Sequence, residues 1–233
     1  MKEDEPHQAR RSGRTVLGRL QMGLEALYRI DTQLSVEHFL IGEEARTDAR
    51  PARAPREQVL VRQEADDELG LGLFVDEDAL SNLERHDPAQ RLDDRNFADF
   101  CVAVEGVSHF VYLARCAAED RRVSALELEL QAEVDKFACC TLLGAENVAP
   151  ANDVASPSFW RRRLYDDVTF AKDLDDDEHA RYRVANAEAS RYARTLDTRY
   201  LASRRVPDML FELRRFYRLD LDGKLSHIAR TAA

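Results

Sequence analysis

Four side chains in one short stretch of the sequence could together do acid–base or metal chemistry. Glu105 and His109 are four residues apart, and so are Glu129 and Glu133. Residues four apart lie on one side of an α-helix, so each pair would present its two side chains together. Carboxylates and imidazole bind divalent metal ions and exchange protons near neutral pH. These four residues are therefore the candidate site, and a divalent metal is the cofactor that it could hold.

Two consecutive helices within Phe97–Leu143 must position these residues. Apolar residues recur on both segments with the period of one buried helix face. A charged turn separates them, and Ser124 followed by Glu127 is typical of a capping box at the start of the second helix. The first apolar face comprises Phe97, Phe100, Val104, Val107, Val111, Ala114 and Ala118, and the second comprises Leu126, Leu130, Val134 and Phe137. We predict an antiparallel helical hairpin.

The register of this hairpin pairs His109 with Glu133 if the turn is centred near Arg121. Helical phase turns Glu133 toward the apolar face, where a carboxylate needs a partner. We favour a structural His–Glu hydrogen bond. A solvated face, with Glu133 paired to an arginine, and a metal or acid–base site are the alternatives. Four-helix carboxylate proteins use Glu-x-x-His, whereas the spacing here is Glu-x-x-x-His, so the sequence departs from that pattern.

The N-terminal part of the chain predicts one helix and a small sheet. Apolar residues from Val16 to Tyr28 have a helical period. Three short segments rich in strand-forming residues follow. We expect them to form a three-stranded antiparallel sheet, which helices must cover for it to be stable. Residues 43–57 are rich in Ala, Arg and Pro without periodicity, which predicts a mobile loop. The three predicted strands are Ser35–Ile41, Gln58–Gln63 and Leu69–Val75.

The predicted fold is α+β and predominantly α, with the small antiparallel sheet packed on a multi-helix body built on the hairpin. Residues 1–12 are highly charged and should form a disordered tail. Residues 13–92 hold the N-terminal helix and sheet, residues 93–219 form the helical body, and residues 220–233 form a frayed tail. The two middle parts could equally form one continuous domain, 13–219.

Bulk composition predicts a cytoplasmic protein without membrane association. The net charge is −10 and hydrophobic residues make up 44% of the chain. Its four cysteines include the adjacent pair Cys139–Cys140 and show no zinc-ligand spacing. The chain starts without an apolar stretch, and no apolar run reaches the ~20 residues of a membrane span.

Arginine and tyrosine alternate in the C-terminal third, a pattern that some nucleic-acid-binding proteins show. Nucleic acid is therefore a possible partner, although a less expected one than another protein. Arg181, Arg191 and Arg199 each stand next to a tyrosine. Basic–aromatic interleaving can serve phosphates and stacked bases. From Pro157 onward, 16 basic and 13 acidic residues give a charge of +3, whereas the chain before it carries −13. The overall negative charge argues against a general nucleic-acid binder.

Motifs of common enzyme classes are missing from the sequence. It contains no Walker loop, no Gly-x-Ser-x-Gly, no His-Glu-x-x-His and no complete Gly-x-Gly-x-x-Gly. The leading hypothesis is a non-catalytic interaction or regulatory protein that presents helical surfaces to another protein and needs no cofactor. The alternatives are a metal-binding or acid–base enzyme built on the four-residue candidate site, and a nucleic-acid-associated factor that uses the three arginines.

Overall fold

The computed structural model describes residues 15–47, 55–63, 69–146, 156–168 and 175–231. These residues form nine α-helices and a two-stranded sheet, with 70% helix. The predicted fold class, α+β and predominantly α, is confirmed. The helices are α1 (Val16–Tyr28), α2 (Glu43–Thr47), α3 (Glu77–Arg85), α4 (Phe97–Ala118), α5 (Ala125–Glu146), α6 (Pro157–Arg161), α7 (Asp176–Leu196), α8 (Val206–Tyr217) and α9 (Leu221–Thr231), and the strands are β1 (Glu57–Gln63) and β2 (Leu69–Val75).

The hairpin of α4 and α5 is present as predicted and lies at the centre of the molecule. α4 contacts α1, α3, α5 and both strands, while α5 packs on α4 and α7. Gly106 lets the sheet approach α4 closely, because a Cβ there would lie 3.1 Å from Leu73 Cδ1. The hairpin is therefore the element on which both the sheet and the C-terminal helices pack.

The predicted third strand, Ser35–Ile41, is wrong. β1 and β2 pair antiparallel, with Val61 opposite Leu71. Residues Val36–Phe39 instead form a 3₁₀ turn, and only Leu40 makes a single parallel bridge to the sheet. The cause is Gln21 of α1, whose side chain bonds Val36 N at 2.8 Å and Leu34 O at 2.7 Å and so ties this segment to the helix.

The predicted loop 43–57 and the predicted N-terminal tail fall partly or wholly outside the described residues. Residues 43–47 form the short helix α2, so the loop prediction is wrong there, and β1 already begins at Glu57. Residues 48–54 and the tail 1–12 lie outside the described ranges. Buried apolar residues from Val16 to Ile228 belong to one connected core. The predicted boundary at 92/93 therefore runs through a shared core.

The C-terminal helices complete the body, and the last of them corrects the predicted frayed tail. Asp175 and Glu178 form a capping box that starts α7, because each side chain satisfies an unpaired backbone N–H of the first turn. Residues 221–231 form α9, in which Lys224, His227 and Ile228 are buried. The expectation of a frayed tail from residue 220 is wrong for this helix.

α4 has the length and hydropathy of a membrane span over one window, and 61% of that window is buried inside the protein. Core helices of globular proteins meet the same criteria.

Aromatic rings pack against the C-terminal half of α4. The ring centroids of Tyr28 and Tyr217 are 3.8 Å apart in a stacked pair, and those of Tyr112 and Tyr217 are 4.9 Å apart in an edge-on pair.

Candidate functional site

The four candidate residues lie in one buried layer between α4 and α5, but their partners differ from the predicted pairing. Glu105 and His109 project from α4, and Glu129 and Glu133 from α5, as the i,i+4 spacing requires. His109 does not pair with Glu133. Its ring instead faces Glu129, whose Oε2 lies 3.8 Å from His109 Nε2. The predicted pair is therefore wrong by one helical turn of α5.

Lys136 is the partner of the two other carboxylates. Its Nζ lies 2.5 Å from Glu105 Oε2 and 2.8 Å from Glu133 Oε1. The lysine is buried, with 8% of its surface exposed. Burial alone would lower the pKa of Lys136, but Glu105 and Glu133 raise it well above its ordinary value. The ammonium therefore stays charged and neutralises carboxylates on both helices.

His109 lies between carboxylates from the sheet and from α5. Glu129 of α5 faces Nε2 of the imidazole, and Glu57 of β1 faces the opposite nitrogen, with its Oε2 3.6 Å from His109 Nδ1. Burial would lower the pKa of His109, but Glu57, Glu129 and Glu105 together raise it to about 9. Burial raises the pKa of Glu129 to about 7, and the positive charge of His109 opposes that rise. The imidazole is thus protonated at neutral pH, whereas Glu129 exchanges a proton near neutrality.

Three polar atoms of this layer are buried without a hydrogen-bond partner: Glu57 Oε2, His109 Nε2 and Arg181 Nε. The last two lie 3.8 Å and 3.9 Å from the oxygens of Glu129. Both distances exceed the limit of a direct hydrogen bond, about 3.5 Å, so these contacts are electrostatic. The layer is therefore an ion network in which opposite charges face one another, and not every polar atom in it makes a hydrogen bond.

A divalent metal ion would have to displace two cations from this layer. Lys136 already occupies the position between Glu105 and Glu133, and a protonated His109 has no free lone pair for a metal. Among the described residues, no group of three or more His, Cys, Asp or Glu is arranged to hold a metal ion. The metal interpretation of Glu105, His109, Glu129 and Glu133 stays a prediction that this geometry does not favour.

A second buried polar network lies at the same level of the hairpin as the ion layer, on the neighbouring residues Ser108 and Asp135, and sequence reasoning missed it. Asp135 accepts hydrogen bonds from Tyr28 Oη, from Ser108 Oγ at 2.6 Å and from Gln131 Nε2 at 2.9 Å. Lys224 of α9 donates to Gln131 Oε1. Burial raises the pKa of Asp135 to about 6, despite these donors. The Asp135 carboxylate thus joins α1, α4 and α5, and Gln131 extends the network to α9 through Lys224.

Lys224 is completely buried and lies among aromatic rings. Its Nζ is 4.8 Å from the ring centroid of Tyr112 and 4.7 Å from that of Phe216. Burial lowers the pKa of Lys224 to about 7, and the charges of Glu127 and Asp135 only partly oppose this. Only four lysines occur in the whole chain, against 30 arginines. Two of them, Lys136 and Lys224, are buried. A lysine within a helical segment of this arginine-rich sequence was therefore the signal that could have pointed to each network.

A third set of contacts, around Glu127, lies at the turn that connects α4 and α5. Glu127 accepts from Tyr112 Oη at 2.7 Å and from the Arg121 guanidinium at 2.8 Å. Ser124 caps α5 as predicted, since its Oγ accepts from Glu127 N at 3.2 Å. The Glu127 side chain thus turns into the hairpin and stabilises the charged turn from inside.

The three arginines predicted for nucleic-acid contact do not form one basic stripe. Arg181 faces Glu129 at 3.9 Å, and Arg191 bonds both oxygens of Glu188 at 2.9 Å and 3.0 Å. Arg199 is exposed on the π-helical turn that follows α7. Two of the three are thus engaged by carboxylates of the same chain, and nucleic-acid contact by these residues stays a prediction.

The outer face of α8 carries the most prominent apolar side chain at the surface. Phe211 is 72% exposed, the highest value among the large hydrophobic residues described. Arg214, Arg215 and Arg218 follow on the same side of the helix, three, four and seven residues later. Arg29, at the C-terminus of α1, lies beside them, because the Arg218 guanidinium donates to the carbonyl of the preceding residue, Tyr28. We call these five residues the α8 surface.

Comparison of the chain with protein-family models, with curated proteins and with solved structures finds no match.

Proposed function

We propose that this is a non-catalytic interaction protein that presents the α8 surface to another protein. The observation that supports it most is the exposure of Phe211 on a regular helix. Burying a phenylalanine gains about 1.5–3 kcal/mol, and that gain is lost at a solvent-exposed position. An exposed phenylalanine beside arginines has the composition of an interface centre, where aromatic residues and arginine are enriched.

The packing beneath α8 supports a surface that keeps its shape on binding. Met209, Leu213 and Phe216 on the inner side of the helix are each at most 1% exposed. Phe216 stacks on Tyr192 of α7 at 4.1 Å, which fixes the helix against the body. A preorganised surface loses little conformational entropy on association.

The buried ion layer supports a structural role for the chain's unusual charges rather than a catalytic one. Its carboxylates, imidazole, ammonium and guanidinium groups face one another, which is the arrangement of a network that specifies helix register.

Cytoplasmic localisation belongs to the same proposal. It agrees with the four cysteines, all of which are free thiols, because disulfides are rare in the reducing cytoplasm.

Site-specific photo-crosslinking tests the proposal. A benzophenone amino acid replaces Phe211 in cells of the source organism, and a matched chain carries it at Val184, an exposed position on α7. We expect one discrete protein adduct from position 211, absent from position 184 and lost when Arg215 is changed to Glu. Adducts that are equal at both positions, or none at position 211, would refute the proposed surface.

A further inference from the structure

Three arginines gather at the C-terminus of α1 without a carboxylate partner in the described part of the chain. Arg214 Nε donates to Leu27 O at 2.7 Å, and the Arg218 guanidinium donates to Tyr28 O at 3.1 Å. Arg29 is the C-cap of α1 and has the left-handed backbone angles φ 53 and ψ 54. Arg214 and Arg218 thus lie at the two carbonyls that directly precede Arg29, so the three arginines converge on one helix end. Burial and the charges of Arg29 and Arg218 lower the pKa of Arg214.

Helix capping accounts for only part of this cluster. The C-terminal carbonyls of α1 carry a partial negative charge, equivalent to about half an electron, which three guanidiniums exceed. Arg214 and Arg218 each use one donor group on these carbonyls, and a guanidinium has five N–H donors. Arg29 makes no ion pair within the described residues. The cluster therefore retains positive charge and unused donors next to Phe211.

We infer that the α8 surface binds a short acidic amphipathic segment of a partner protein, with carboxylates on the arginines and an apolar side chain on Phe211. The inference rests on the proposed function and names the chemistry of the partner. Guanidinium and carboxylate match as planar two-point partners, which is why arginine is preferred for such recognition. Phe211 requires an apolar contact beside the charges, and an amphipathic segment supplies both on one face.

The charge of the whole chain favours a short acidic segment over a nucleic acid or an anionic membrane. The protein carries −10 overall, so an extended polyanion meets repulsion beyond the arginine cluster. Electrostatic interactions at physiological salt reach about 8 Å. A segment of a few turns on the α8 surface lies mostly within that distance of the arginines, whereas a long polyanion extends past it.

Fluorescence anisotropy with defined probes tests this inference on the full-length protein. The main probe is a labelled peptide of about 18 residues, or five helical turns, with leucines on one face and glutamates on the other. A second peptide keeps the leucines and replaces every glutamate by lysine. Single-stranded oligothymidylate and vesicles containing phosphatidylserine represent the other anionic partners. We expect binding of the glutamate peptide alone, weakening as salt is added.

The variants are chosen to spare the fold. Arg29→Asn removes a guanidinium while keeping a residue type that tolerates left-handed backbone angles, and Phe211→Ala removes the apolar anchor. Each should weaken glutamate-peptide binding at least tenfold, which corresponds to 1.4 kcal/mol. Arg62→Ala on β1, another exposed arginine, is the matched control and should leave binding unchanged. Arg214 and Arg218 are left intact because they bond α1.

The outcomes separate this inference from the proposed function. Absence of glutamate-peptide binding, equal binding of the lysine peptide, or tighter binding of the oligonucleotide or the vesicles would overturn the acidic segment as ligand. A discrete crosslink from position 211 alongside any of these results would keep the proposed function while its partner chemistry changed. Loss of the crosslink would remove the proposed function itself.

Discussion

Replacing Lys136 by methionine should destabilise the protein more than almost any other single substitution of a charged residue. The change keeps an unbranched apolar stem and removes the ammonium that lies 2.5 Å from Glu105 and 2.8 Å from Glu133. Two carboxylates, each less than one-fifth exposed, then face each other across the hairpin without the ammonium that lay between them.

The size of the effect follows from this geometry. Since both oxygens contact the same Nζ, at 2.5 Å and 2.8 Å, they lie at most about 5 Å apart. At an effective dielectric constant of ~20, two unit charges at that separation repel by ~3 kcal/mol or more. Breaking a buried ion pair by removing one partner typically costs about 3–5 kcal/mol. We therefore expect Lys136→Met to remove about 3–5 kcal/mol from a free energy of unfolding that is typically 5–15 kcal/mol.

Urea denaturation followed by circular dichroism measures this loss as a lower midpoint at unchanged slope. Arg205→Met is the control, because the Arg205–Asp208 pair has side chains 58% and 53% exposed and should contribute less than ~1 kcal/mol. Adding Glu105→Gln and Glu133→Gln to Lys136→Met should recover much of the loss. A cost for Lys136→Met below ~1 kcal/mol, equal to that of the control, would show that the ammonium is not buried between the two carboxylates.

Three further predictions concern pairing, pH and the last helix. In double-mutant cycles, His109→Ala should couple with Glu129→Ala by 0.5–3 kcal/mol and more weakly with Glu133→Ala; the reverse order would restore the pairing predicted from the sequence. Because the pKa of Lys224 is about 7 when folded and ordinarily 10.5, the unfolded chain holds an extra proton between these values, so stability should rise with pH there and stay flat below pH 7. The stability difference between the wild type and Lys224→Met should follow this course with a slope of up to ~1.4 kcal/mol per pH unit, and a flat difference from pH 7 to 10 would contradict it. Deleting α9 from residue 221 onward should cost more than ~3 kcal/mol in denaturant titrations, since it empties buried core positions; an unchanged midpoint would mean that the segment is a frayed tail after all.

The hairpin was predictable because its information is local. Apolar residues at helical spacing on α4 and α5, with Ser124 as a cap, determine both helices and their antiparallel contact. The level at which the candidate residues meet was also predictable. The exact partners were not, because an error of one turn in α5 exchanges Glu129 for Glu133 opposite His109. The Glu133–Lys136 pair, three residues apart on one helix, was readable from spacing alone.

Long-range side-chain contacts account for the failures. The segment after α1 is rich in strand-forming residues, yet the Gln21 side chain holds it as a 3₁₀ turn by donating to Leu34 O and accepting from Val36 N. α9 was mistaken for a tail because Lys224 and His227 interrupt its apolar face. Both side chains can be buried because each has a hydrogen-bond partner on another helix: Lys224 donates to Gln131, and His227 bonds Glu212. Glu57 of β1 also belongs to the ion layer. Sequence spacing could not predict this contact, because it relates residues within one helix or strand and not a strand residue to a helix distant in the chain.

Cysteine accessibility beside Phe211 tests the central proposal most directly. Asp208 is exposed and lies three residues before Phe211 on the same side of α8, so a cysteine there leaves the apolar anchor and the arginines intact. Asp208→Cys and, as a control, Val184→Cys are labelled with a membrane-permeable maleimide, once in cells of the source organism and once in the purified protein. The proposed function predicts that position 208 reacts readily in the purified protein and is strongly protected in cells, while position 184 reacts equally in both. Equal reactivity of position 208 in cells and in the purified protein would contradict a partner-covered α8 surface.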